Sequence, residues 1–456
     1  MTPEEARTLA DRVLALSKGA DQARVNIIAI TSGNTRFADA SITTSGGVTD
    51  ISVMVTVTIG RRRASATTNV LDDASLKRTV DRAAQLARLS PDDPELMPEL
   101  GPQNYATVNA YIEDTANLNP VARAGAVQRA IAAAGGSQLF TAGFLDAQAA
   151  TVAVATSNGL FAFHRTTEAE LSMTARTPDG TGSGWASAGS RDWGTVDPAS
   201  IGRAASRKAH ASRNPQAIDA RPYTAVLEPQ AVNDLIPLLS NALNARSADE
   251  GRSAFSKPDG GTRLGEKVCD ERVTLYTDPA DPELLGMPFD TEGLPIRRTM
   301  WIEKGILRNL MYTRFWAQKQ GAQPTGEEIY SGAGFQQPRL IRQAYTGGGL
   351  KMVGSGRTTD DLIAGCEYGV LVTHFFYIRS LEPRTVLHTG LTRDGAFLIE
   401  KGKVTRPLKN LRWNESPLLM LDRLEDIGRP EAVAAGRRMP ALRIRDFNFT
   451  SLSDAV

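Results

Sequence analysis

The sequence predicts an α+β fold: N-terminal helices packed on a mixed β-sheet, followed by a β-rich C-terminal domain. Three observations point to it. Capped amphipathic helices alternate with strand-like runs through the first half. The texture changes after Arg221-Pro222, and beyond that point the chain reads mostly as short strands broken by Gly/Pro turns. With 456 residues the chain can bury two sizeable cores, and we divide it into domains at 1–220 and 221–456.

The first helix has a full start signal, with Thr2 as cap, Pro3 at the first helical position and Glu5 closing a capping box. Ala6, Leu9, Ala10, Val13 and Leu14 then mark its buried face. Strands are expected over residues 25–30 and 51–59; the second alternates Ile51, Val53, Val55, Val57, Ile59 with Ser52, Met54, Thr56, Thr58. A second helix begins at Asp72-Asp73 ahead of Leu76, Val80, Ala83 and Ala87, and stops at Ser90-Pro91. A third follows Asn119-Pro120 and closes at Gly135-Gly136. Strands over 151–156 and 160–164 are joined by Ser157-Asn158-Gly159, where Asn-Gly supplies the positive φ of a tight hairpin. A fourth helix starts at Asp197-Pro198. In the second half, Ile302-Glu303-Lys304-Gly305-Ile306 and Ile399-Glu400-Lys401-Gly402-Lys403-Val404 both read as hairpins with Gly at the left-handed position, either a duplicated unit or two unrelated turns.

Composition excludes several classes. Lys+Arg number 52 and Asp+Glu 51, so no electrostatic bias points to nucleic acid or an acidic membrane surface. The single basic run, Arg61-Arg62-Arg63, reads as a solvated strand end. Two cysteines, Cys269 and Cys366, are too few for a disulfide framework or a four-cysteine zinc site. No apolar stretch approaches the roughly 18 residues of a membrane span, and the N-terminus lacks a secretory pattern. A reducing, cytoplasmic location is expected.

Familiar catalytic machinery is missing. The four histidines, His164, His210, His374 and His388, are never four or five residues apart, so no helix presents two imidazoles to one metal. His164 reads as a strand residue and His210 as a surface helix position. His374 and His388 could face one another across a hairpin, but without a nearby acidic ligand. No serine sits in a nucleophile elbow. The glycines of 349–354 precede Ser355 where a phosphate loop needs lysine. Asp179-Gly180-Thr181-Gly182-Ser183-Gly184 reads as a hairpin tip, and Cys366 as a buried thiol.

The second half nevertheless carries a recognisable pattern. Asp290-Thr291-Glu292-Gly293-Leu294-Pro295, then Ile302-Glu303-Lys304-Gly305-Ile306-Leu307, resembles the acidic-Glu-Gly-x-Pro turn and following hairpin of the TldD/PmbA family of peptidases. The later blocks Gly369-Val370-Leu371-Val372-Thr373 and Thr389-Gly390-Leu391-Thr392-Arg393-Asp394-Gly395 come in the family's order, followed by Pro407 and Ser416-Pro417. The resemblance is specific over 221–430 and weaker before it. It implies a protein that acts in pairs, one partner carrying a His-Glu-x-x-x-His zinc helix completed by a cysteine near its C-terminus, the other similar in shape but without metal.

Aligned through Gly251-Arg252-Ser253-Ala254-Phe255, this sequence places Ile236 and Asn241 where the histidines would be and Pro237 where the catalytic glutamate would be. Isoleucine has no lone pair and proline cannot deprotonate a zinc-bound water. No cysteine follows Cys366. A helix is expected from Pro237, packed through Leu238, Leu239, Ala242 and Leu243. The resemblance therefore implies a metal-free subunit with no catalytic residue of its own, paired with a zinc-bearing TldD-like paralogue and enclosing unfolded peptides against a strand edge. His374, Tyr377, Arg379 and Arg393 are the candidate peptide-contacting residues. Two alternatives remain at this stage: a stand-alone homodimeric peptide-binding scaffold, and a metal-dependent hydrolase built on His374 and His388.

Overall fold

A computed structural model describes residues 1–326 and 349–453. Its first layer is a six-stranded sheet of β1 (Gln22–Ala38), β2 (Ser41–Ile59), β3 (Arg62–Thr68), β4 (Phe140–Thr156), β5 (Phe161–Arg176) and β6 (Ser183–Ser190), in the order β3-β2-β1-β4-β5-β6. All five pairings are antiparallel, which corrects the expected mixed sheet in this half. The reason is local: four of the five pairs are sequence neighbours joined by short turns, and tight turns reverse the chain. Mixed pairing belongs to the second sheet, where Tyr368–Val372 and Leu350–Met352 each have one parallel neighbour. The α+β class holds.

The helices begin as their caps predict. Thr2 and Glu5 form the reciprocal capping box of Pro3–Leu16, Asp72 caps Asp73–Leu89, Asn119 caps Pro120–Ala133 and Asp197 caps Pro198–Ala211. The first two cover one half of the sheet, burying Val25, Ile27, Val53, Val55 and Val57; the other two cover the rest, over Phe37, Leu145, Leu171 and Met173. β4 and β5 run much further than the expected 151–156 and 160–164. Their added residues alternate, with Leu145, Ala147, Leu171, Met173 and Ala175 all buried beneath helices.

The opposite face of the sheet meets the C-terminal half. Ile28, Val152, Val154, Leu160 and Ala162 pack against Met287, Phe289 and Ile296. Phe289 and Ile296 flank the family-like turn, and its sequence explains its shape. The Asp290 carboxylate accepts the N–H groups of Glu292 and Leu294, each at 2.9 Å. Gly293 adopts φ +80°, and a Cβ there would come within 2.8 Å of Leu160, so the turn can wedge onto the sheet only with glycine. Asn26 donates to the Thr291 carbonyl and Tyr105 to that of Gly293, both at 2.8 Å.

The second sheet surrounds a larger core that includes Tyr223, Trp301, Phe375, Trp413, Phe447 and Phe449. Both Lys-Gly hairpins are present, joining Thr299–Glu303 to Ile306–Leu307 and Ala396–Glu400 to Lys403–Leu408. Lys304, Gly305, Lys401 and Gly402 are all left-handed, the paired positive φ that a two-residue turn requires.

Candidate functional site

The segment aligned with the zinc helix does not start at Pro237. An α-helix spans Pro229–Leu235 and tightens into a 3-10 helix over Ile236–Leu243. Pro237 has no N–H to give and its ring collides with the carbonyl four residues back, so the α pattern cannot continue through it. At three residues per turn, Ile236, Leu239 and Ala242 fall in one row, and all three are buried. Asn241 lies off that row and is exposed, and Pro237 is half-buried. The two positions that would carry imidazoles therefore point apart, one into the core and one to solvent. The residues present do not fit the zinc that the family resemblance implies. Among the described residues no group of three His, Cys, Asp or Glu side chains is arranged to hold a metal ion. Burial pushes the Cys269 thiol up to about 12 and raises that of Cys366, so both are held as neutral thiols.

The same helix carries a residue that the sequence reading missed. The Asp234 Oδ2 accepts the backbone N–H of Phe375 at 2.8 Å, and its Oδ1 accepts from Gln230 Nε2 at 2.9 Å. Burial pushes this carboxyl up to about 7. An acid inside the apolar run Val232-Asn233-Asp234-Leu235-Ile236 was the available signal, since an acid in such a run needs a partner.

Phe375 opens the strand Phe375–Glu382, which pairs on one side with Leu387–Thr392. No strand pairs its other side among the described residues. The register passes from Phe376↔Leu391 to Arg379↔Thr389, leaving one extra residue opposite Gly390. This bulge holds Tyr377 at φ +55°, a conformation that costs a bulky residue energy and re-aims its side chain. Phe376 and Tyr377 consequently both face solvent, at 43% and 56% exposure, while Phe375 stacks inward on Phe447. The Arg393 guanidinium lies 4.1 Å from the Phe376 ring centre and that of Arg379 lies 4.6 Å from Tyr377. The structure thus brings Tyr377, Arg379 and Arg393 together on one exposed edge and adds Phe376 to them.

His374 is placed elsewhere. Its ring stacks on Trp185 of β6 at 4.7 Å, and its Nε2 lies 3.6 Å from Asp394 Oδ2, in a cluster where Ser183 donates to the same carboxylate. Burial pushes His374 down to about 4 against the pull of Asp394, so the ring is neutral at pH 7. His388 does not face it. The register sets His388 opposite Ser380, six residues along the strand, and its Nδ1 donates to the Val386 carbonyl at 2.8 Å. The expected convergence of the two histidines is therefore corrected: the pairing of Phe375 with Thr392 already sets position 374 beside Arg393, and the bulge moves His388 by only one residue more. His164 is a buried β5 residue pushed down to about 3, and His210 is exposed near a helix end.

These features define the class of protein before any name. Over nearly its whole length the chain shares the fold of a Thermotoga maritima protein described as a proposed modulator of a DNA gyrase. The TM-score is 0.84 at 17% identity, covering 97% of this chain and 100% of that one. TldE from Thermococcus kodakarensis superposes with a TM-score of 0.83 at 18% identity, covering 96% and 99%. Models of the PmbA/TldA metallopeptidase domains then match in order: domain 1 over residues 23–87, the central domain over 115–213 and the C-terminal domain over 220–451. The chain belongs to the PmbA/TldD metallopeptidase family. Among curated relatives, the metalloprotease TldD homologue of Buchnera aphidicola is 28% identical over 171 residues, 36% of this chain and 33% of that protein. The Haemophilus influenzae homologue is 27% identical over 202 residues, 40% and 39%. The chain thus spans well under half the length of these two relatives.

Proposed function

We propose that this chain is the non-catalytic, TldE/PmbA-like subunit of a cytoplasmic zinc metallopeptidase, paired with a zinc-bearing TldD-like paralogue that supplies the chemistry. In this reading the chain contributes walls and a binding edge: an unfolded peptide lies along Phe375–Glu382, held by backbone hydrogen bonds that tolerate many sequences. The observation that carries the reading is the divergence of Ile236 and Asn241, one in the core and the other in solvent, on the segment where the family's zinc helix would lie. The unpaired outer edge of Phe375–Glu382 supports the peptide part.

The test is co-purification with the paralogue, followed by peptidase assays of the pair and of each chain with and without chelator. The pair is expected to cleave unstructured peptides and to lose that activity with chelator, while this chain alone is inactive. Chelator-sensitive cleavage by this chain alone would overturn the reading. Failure to bind any paralogue, with a stable homodimer in its place, would favour the scaffold alternative.

A further inference from the structure

A strand edge that binds through its backbone reads no sequence, so any selectivity must come from the side chains beside it. Here those side chains are of one kind. Phe376, Tyr377 and Leu381 are exposed along Phe375–Glu382, and two of the three carry an arginine on the ring face. A guanidinium stacked on a ring engages its face and leaves its in-plane N–H groups free, in the fork geometry that matches a carboxylate.

The local charge is unbalanced. The Arg379 guanidinium makes no hydrogen bond or ion pair among the described residues; its contact is the Tyr377 ring. Arg393 meets one carboxylate, Asp394, through Nε at 3.7 Å, and that carboxylate already serves Ser183 and His374. The single acid on the strand, Glu382, lies at its far end and accepts the N–H of Arg384. The bulge that presents the aromatic pair is fixed from behind, since a Cβ on Gly390 would come within 2.5 Å of the Trp413 ring.

We infer that this edge selects extended peptide segments carrying acidic side chains, with Arg379 and Arg393 receiving the carboxylates and Phe376 and Tyr377 holding both guanidinium groups flat. The inference rests on the peptide-edge reading above and adds a substrate class to it. Both arginines are partly solvated, so the preference weakens as salt screens it.

The experiment uses the full chain and three labelled ten-residue unstructured peptides, identical except for Glu, Gln or Lys at alternate positions, followed by fluorescence anisotropy at low salt and at 0.5 M salt. The Glu peptide is expected to bind on the order of tenfold more tightly than the Gln peptide, with the gap closing at high salt. The double variant Arg379→Glu/Arg393→Glu is expected to prefer the Lys peptide, a gain that misfolding cannot imitate. Equal binding of Glu and Gln peptides, unchanged by charge reversal, overturns acidic selection and leaves the peptide edge standing. No binding of any peptide overturns both. A change of oligomeric state in the variant, read by light scattering, overturns the inference by making the patch a subunit contact.

Discussion

Beside their apolar contact, the two halves of the molecule meet at two polar clusters that solve the same problem differently. Beside the Asp290–Pro295 turn the contact is ionic. Arg24 lies 3.2 Å from Glu99 and 3.3 Å from Glu292, and Glu292 also receives Arg314 at 3.4 Å, with every one of these side chains largely buried. Beside β6 the contact is a neutral imidazole stacked on Trp185, with Asp394 and Ser183 at its edge. In the ionic cluster, burial raises the Glu99 carboxyl and the neighbouring Glu292 adds to the shift, while Arg24 pulls it back. In the other cluster, burial lowers the histidine against the pull of one carboxylate. The ionic cluster acts as a clamp between opposite charges, and the imidazole cluster makes the junction sensitive to acid.

The largest expected effect breaks the clamp. Glu292→Ala removes the carboxylate that Arg24, Arg63 and Arg314 share, and leaves the Pro98 carbonyl as the hydrogen-bond partner of the Arg314 guanidinium among the described residues. Leaving a buried cation without its partner costs about 3 kcal/mol or more, read as a loss of unfolding free energy in urea. A loss below about 1 kcal/mol would show that the cluster contributes little to holding the halves together.

The next pair of predictions separates two titrations on either side of the Phe375 backbone, at His374 and at Asp234. His374 is pushed down from 6.5 to about 4, mainly by burial, with Lys208 and Arg393 adding to the shift and Asp394 opposing it. Its contribution is present above pH 6.5 and is lost as pH falls toward 4. Asp234, which holds Phe375, is pushed up from 3.8 to about 7, again by burial, against Gln230 and Arg437. Its contribution is complete below pH 3.8 and is lost as pH rises through 7. Between pH 4 and 7 the two slopes oppose each other. Each is worth on the order of 2 kcal/mol, taking about 1.4 kcal/mol per unit and discounting for coupling. Thermal unfolding of His374→Phe should show stability rising as pH falls from 7 to 4. Asp234→Asn should show it falling over the same range and should exceed the unmodified protein above pH 7. Parallel pH curves for the protein and both variants would remove this account.

How much of this was legible in the sequence follows from distance along the chain. The helix caps, the Lys-Gly hairpins and the loss of zinc donors at Ile236 and Asn241 are local facts, and each could be read from a few neighbouring residues. The Asp290 turn was recognisable as a pattern, but its work as a wedge depends on Leu160 and Asn26, in strands far earlier in the chain. His374 was placed with Tyr377 and Arg379 because they are neighbours in sequence; Trp185 and Asp394 bury it, and Ser183 reaches Asp394 across 211 residues. Asp234 meets Phe375 across 141 residues. The bulge at Tyr377 depends on Trp413 behind Gly390, which no local period reveals.

The smallest effect tests the clamp at its rim. Arg63 belongs to a basic run expected to be a solvated strand end, and the structure gives that run partners: Arg62 meets Asp92 at 2.8 Å, and Arg63 stands 3.8 Å from both Asp93 and Glu292. Arg63 is 28% exposed, against 9% for Arg24, so water and salt screen its attraction while Arg24 keeps most of its own. Arg63→Gln is therefore expected to cost less than about 1 kcal/mol, and the cost should vanish in 0.5 M salt. The Glu292→Ala loss should persist there, because the charges it unpairs are out of reach of the ions. A salt-independent loss of several kcal/mol for Arg63→Gln would mean that the buried cluster extends to the protein surface and that the boundary between clamp and rim is drawn in the wrong place.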